Sequence, residues 1–204
     1  MNIANRSDGK ASINQLDETT LNAGSGRINI QLGNLGEVGD INLASLTTTG
    51  QVLVNANSEN IARVSENYLI NVGSVLFQTS GNGGIGLIGG YLRLNVGNLE
   101  AVSGSGRVFF DVADVNIGGV NDDVNSILAA SGGDITLDRE GDVTVTKNIS
   151  TELFIDGETG GDINLSANNL FVIDAAFISA VAYSFILSFL GLPTTLLLFY
   201  PMVK

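Results

Sequence analysis

The word GGDITL at 132–137 returns as GGDINL at 160–165, an offset of 28 residues. That recurrence constrains the fold more than anything else in the chain. Between the two copies lie three strand candidates: 135–137, 143–145 and 153–155. Three short strands followed by the first strand again describe one coil of a triangular solenoid, and a repeat of a few tens of residues is the usual signature of such stacks. Related words run through 21–174: GRINIQL, GDINLAS, YLRLNV, GRVFFDV and GDVTVTK. They alternate apolar and polar residues, which sends one face inward and the other outward. Gly, Asn, Asp and Ser fill the gaps, as turns require. No helical period of useful length appears before residue 175.

The expected class is therefore all-β, a parallel β-helix. An antiparallel sandwich or barrel is the competing architecture, since it also consists of short strands and turns. Regular Asn-Gly or Asp-Gly hairpin signals are missing. The same Gly-Gly-Asp corner precedes each copy of the strand, and this favours the solenoid. GSGR also recurs, at 24–27 and 104–107, a weaker match. The register at LFVID (170–174) stays open. An offset of 28 places Phe171 and Ile173 on Val143 and Val145, whereas 27 places Leu170 and Val172 there. A slip of one residue exchanges the faces of a strand.

Composition divides the chain. Residues 1–174 hold every acidic residue and all but one of the basic ones, within an overall net charge of −12. That balance opposes binding to nucleic acid, whose phosphates need Lys and Arg, and to anionic lipid. The absence of Cys excludes disulfides, and the absence of His removes the usual general base near neutral pH. The first residues lack a basic start and apolar core, so they do not read as a secretory signal. The expected organisation is an irregular segment over 1–20, a repeat region over 21–180 and an apolar tail over 181–204.

The words GGDITLDREGDVTVTKNIST and GGDINLSANNLFVIDAAFISA resemble the repeats of filamentous-hemagglutinin-like exoproteins. These are the large secreted partners of bacterial two-partner secretion systems. The pieces that carry the resemblance are 160–165, 169–172 and 178–180 in one copy and 132–137, 142–145 and 149–151 in the other. LNAGSGRINI at 21–30 is similar to another repeat word of these proteins. The resemblance favours Leu170 and Val172 as the inward pair. It implies a right-handed parallel β-helix, secretion through an outer-membrane transporter, and adhesion to a host or neighbouring cell. The family's amino-terminal secretion domain has an Asn-Pro-Asn-type motif, and no Pro precedes Pro193 here. The chain is thus expected to be part of a longer secreted or cell-surface protein.

Without His or Cys, acid–base chemistry would fall to carboxylates. Asp122 and Asp123, Asp138, Glu140 and Asp142, and Asp156 and Glu158 are the candidates for glycosidic acid–base work. Beside Gly they read as solvated turn residues, and no catalytic word accompanies them. Asp40, Asp134 and Asp162 share one place in the GDI words and could form a calcium-binding ladder, but calcium needs more converging oxygens. Their side chains are expected to point to water. The RTX-type reading of GGIGLIG fails because Ile88 stands where a ligating Asp belongs. GNGGIGLIGG at 81–90 lacks the Lys-Ser/Thr and following helix of a phosphate loop and reads as a corner. No catalytic, cofactor-binding or metal residue is assigned.

Residues 175–203 carry no charge. About 20 apolar residues span a bilayer core, so a transmembrane helix ending at Pro193 is one reading, with Lys204 on the inner side. The repeat likeness continues to Ala180, so the alternative is that 181–204 is a frameshifted end. The favoured function is a non-catalytic adhesive stalk. A membrane-anchored β-solenoid binding module and a β-helical polysaccharide lyase or hydrolase are the alternatives.

Overall fold

The structure is a computed structural model. It describes residues 1–5, 12–32, 39–87, 89–121, 126–129, 132–138, 141–151, 160–173, 176–180 and 185–189. The strands follow one another coil by coil. β1 (Asn2–Asn5) comes first, then β2 (Ile13–Asn14), β3 (Thr20–Asn22) and β4 (Ile28–Leu32). In the next coil β5 (Ile41–Leu43) leads into the long β6 (Ser45–Asn55), and in the following one β7 (Ile61–Arg63) leads into β8 (Ile70–Gln78). Ile85 makes a single bridge before β9 (Leu92–Ser103). β10 (Val108–Val112), β11 (Val115–Ile117) and β12 (Ser126–Ala129) form one coil, and β13 (Ile135–Asp138), β14 (Asp142–Val145) and β15 (Asn148–Ser150) the next. β16 (Ile163–Ala167), β17 (Asn169–Val172), β18 (Ile178–Ser179) and β19 (Phe185–Phe189) complete the described strands.

Among the described residues every strand-to-strand pairing is parallel, and each joins one coil to the next. The protein is a parallel β-solenoid, as the repeats imply. Its backbone is made by one column of residues that starts at Ile13 and passes through Ile41, Ile61, Ile85, Val108, Ile135 and Ile163 to the register position of Phe185. From Ile41 to Ile163 each of these side chains is fully buried. β-branched residues suit this place because their stiff χ1 fits a pleated surface stacked on its own kind. Burying each stabilises the stack by roughly 1.5–3 kcal/mol.

In the GGDI corner the second Gly, the Asp and the Ile each have a physical reason. A Cβ built on Gly161 would collide with the carbonyl of Gly133 in the coil beneath, and one on Gly106 with the carbonyl of Gly83. The Asp caps the backbone of the next coil, and the Ile enters the column.

Several expectations need correction. The repeat has a further strand that the three candidates did not include, Asn148–Ser150, with Ile149 on Ile178 and Ser150 on Ser179. The candidate at 153–155 lies outside the described residues. The 1–20 segment is not irregular throughout, since β1 pairs with β4 and β2 with β5. Apolar Ile3 and Ile13 pack against the core there. The two GSGR words stand at different corners: Ile28 after the first stacks on Val52, whereas Val108 after the second stacks on Ile135. Phe185–Phe189 pairs in parallel with β16 and is a strand, not the helix considered for the tail. Residues 190–204 lie outside the described residues. Among the described residues no helix is long and apolar enough to cross a membrane.

The register at 170–173 follows the 27-residue offset, with Leu170 on Val143 and Val172 on Val145. Leu170 packs against the core, but Val172, expected inward with it, is exposed, as are Phe171 and Ile173, so register at this strand is met without burial of the second side chain.

Candidate functional site

The carboxylates that were candidates for calcium do not form a ladder. Between Asp40 and Asp134 the same column holds Asn60, Gly84 and Arg107. Nor do these side chains simply point to water, because the coil above needs its corner amides satisfied. Oδ1 of Asp40 accepts from the backbone N–H of Asn60 (2.9 Å) and from its Nδ2 (3.0 Å). Oδ1 of Asn60 accepts from the N–H of Gly84 (2.9 Å). Oδ1 of Asp134 accepts from the N–H of Asp162 (3.0 Å), while Oδ2 pairs with Nε of Arg107 (3.0 Å). The corner before β14 uses the same device: Asp114 accepts from the N–H of Asp142 (2.8 Å), and Asp142 from Nδ2 of Asn169 (2.9 Å). Among the described residues no three or more Asp or Glu converge as metal ligands. Asp122, Asp123, Glu140, Asp156 and Glu158 lie outside the described residues.

The Gly-rich stretch at 81–90 is more than a corner. Ile85 takes its place in the buried column, and the chain then makes a small hairpin in which Leu87 and Gly90 exchange backbone hydrogen bonds (3.2 and 2.8 Å). Gly86 (φ 74°) and Gly89 (φ 69°) have the left-handed backbone that this reversal requires. Leu87 is exposed on the hairpin. An η-nitrogen of Arg63 holds the turn by donating to the carbonyl of Gly89 (2.8 Å).

Beside this hairpin the outward faces of β7, β9, β10 and β13 meet. Leu92, Leu94, Phe110 and Leu137 point inward, so period two sends Arg93, Asp111 and Asp138 outward. Register stacks them, Arg93 on Asp111 and Asp111 on Asp138. Nε of Arg93 pairs with Oδ2 of Asp111 at 3.2 Å. The Tyr91 ring lies flat on Phe109, with centroids 5.4 Å apart and planes 5° from parallel. Beneath them the Tyr68 hydroxyl donates to the carbonyl of Tyr91 (3.0 Å) and accepts from the N–H of Arg93 (2.6 Å). Burial pushes the Tyr68 hydroxyl well above its ordinary pKa, so it stays protonated as this donor.

Arg63, Gly89, Tyr91, Arg93, Asp111 and Asp138 enclose an open cleft of about 320 Å³. On the other side of the hairpin a cleft of about 330 Å³ is lined by Asn60, Asn82, Arg107 and Phe109, among others. Three arginines of a chain with net charge −12 therefore flank one protrusion. The first cleft offers guanidinium donors, carboxylate acceptors and a ring of fixed orientation. Such a set can hold a ligand that both donates and accepts hydrogen bonds. Of its residues the sequence reading singled out only Asp138. Tyr91, Arg93 and Asp111 carried one usable signal, as the outward letters of YLRLNV and GRVFFDV; Arg63 lies in none of the strand words.

The parallel stack and its polar outer clefts define the class, a β-solenoid with a decorated face. No protein-family model, no curated protein and no solved structure matches the chain.

Proposed function

We propose that this chain is a non-catalytic stalk segment of a secreted bacterial surface exoprotein, with adhesive contact made on the face that carries the 87–90 hairpin. The observation that supports this reading is the unbroken parallel stacking from β1 to β19 around apolar columns, the construction of a stiff rod. The corner carboxylates fit the same reading: Asp40, Asp114 and Asp134 accept backbone N–H groups of the next coil, and Asp142 accepts from the Asn169 side chain. The resemblance of the repeat words to hemagglutinin-like exoproteins implies passage through an outer-membrane transporter of the two-partner type. The ligand belongs on a host or neighbouring cell, where exposed corners and clefts of a rigid scaffold make contact.

Beads coated with the folded chain test the adhesive part. They are expected to bind cultured epithelial cells more strongly than albumin-coated beads, and Tyr91→Ala with Arg63→Ala should remove at least about half of the gain, the share expected of central anchor residues. Equal binding by coated and albumin beads would sink the reading, as would release of unsaturated or reducing sugar from an acidic polysaccharide by the purified chain.

A further inference from the structure

Solenoid coils ordinarily touch only their neighbours. Residues 118–121 break that rule. After β11 the chain leaves the coil and lies over Glu100, an outward-facing residue of β9 whose side chain is nevertheless completely buried. Oε1 of Glu100 accepts from the N–H of Val120 (3.1 Å) and Oε2 from the N–H of Asn121 (2.9 Å). Nζ of Lys147, at the corner after β14, stands 3.0 Å from Oε1 and also donates to the carbonyl of Asn121. In the other direction Nε2 of Gln51, in β6, donates to the carbonyl of Val120 (2.9 Å), a link across 69 residues of sequence.

These partners lie far apart along the stack. Gln51 stacks on Ser74, Ser74 on Asn98, Asn98 on Asn116 and Asn116 on Thr144. At ~4.8 Å per rung, that row from β6 to β14 is about 19 Å long. The covering segment has a cost. Oε1 of Gln51 and Oδ1 of Asn116 are buried without a hydrogen-bond partner, which disfavours closure. The charge-assisted bonds of Glu100 oppose that cost.

We infer that residues 118–121 form a strap that couples the coils from β6 to β14 into one cooperative block, with Glu100 as its anchor. Opening β6 or β14 then requires release of the strap, so the two ends of the block open together instead of fraying separately.

Native-state hydrogen exchange on the full chain, in rising sub-denaturing urea, tests it. In the wild type the amides of β6 and β14 should exchange through one opening with one urea dependence. Glu100→Gln sets an amide NH₂ against a backbone N–H and should separate the two sets by at least about tenfold in protection, the effect of losing one or two such bonds. Gln51→Ala removes only the link to β6 and should separate them as well, so it decides the matter if the first variant folds poorly. Val54→Ala, in the core of β6 away from the strap, should lower protection in β14 by the same factor as in β6. Different urea dependences of β6 and β14 in the wild type would overturn the coupling. So would unchanged joint opening in both strap variants, or a Val54→Ala effect that fades towards β14.

Discussion

The carboxylate of Asp134 accepts the backbone N–H of Asp162, its counterpart 28 residues later, at 3.0 Å. The same letter of the repeat thus caps its own copy in the next coil. Asp134→Ala should lower unfolding free energy by about 1–2 kcal/mol, since a part-buried amide loses a charged acceptor. Asp134→Asn keeps an acceptor and gives up only the half-exposed pair with Arg107, and should lose no more than about 0.5 kcal/mol. Urea denaturation of the two variants checks the order.

Gly161 and Gly24 should respond differently to alanine. Gly161 sits where any Cβ meets the backbone of Gly132 and Gly133, so Gly161→Ala must push two coils apart. A loss of more than about 3 kcal/mol is expected. Gly24 has a left-handed backbone (φ 59°) with open space around it, so Gly24→Ala should lose only about 1–2 kcal/mol. Thermal melts of the pair measure the contrast.

Glu100 and Lys147 should behave as a coupled pair. Glu100→Ala leaves the Lys147 ammonium and two strap amides without their acceptor and should cost about 3–5 kcal/mol. Lys147 is partly exposed, so Lys147→Ala should cost less. The double variant should fall short of the sum by roughly 1–3 kcal/mol in a double-mutant cycle.

Tyr68 should make the fold sensitive to alkali. Burial raises its pKa above the ordinary 10.0, so the unfolded chain releases the proton first. Its contribution is complete below about pH 10 and declines as pH rises from there towards the folded-state value. Near neutral pH, Tyr68→Phe should cost about 1–2 kcal/mol, because the Arg93 N–H and the Tyr91 carbonyl lose their partner. That difference from wild type should shrink towards about pH 11, where free tyrosine is ionised. Urea titrations at the two pH values read it directly.

The repeat was legible where successive coils are alike. GGDITL and GGDINL do stack, and Ile149 does lie on Ile178. The earlier coils share the same column with almost no letters in common: Ile61 follows Asn60, Ile85 follows Gly84 and Val108 follows Arg107. Corners absorb insertions and coil length drifts, so no fixed offset finds these residues. The cleft was hidden for the same reason. Arg63, Tyr91 and Arg93 are brought to Asp111 and Asp138 by register between coils, not by spacing along the chain.

The sequence by itself determined the all-β class, the parallel stacking and the inward letters of the clearest repeats; of the pair expected inward at 170–172 only Leu170 meets the core, and Val172 is exposed. These follow from period two and from repetition, which are properties of the chain read locally. Tertiary structure alone decided that β1 and β2 join the stack, that the GDI carboxylates cap the next coil, and that Glu100 is buried beneath residues 118–121. Each of these depends on which residue lies one coil away, and that is set by corner lengths and backbone hydrogen bonds between coils.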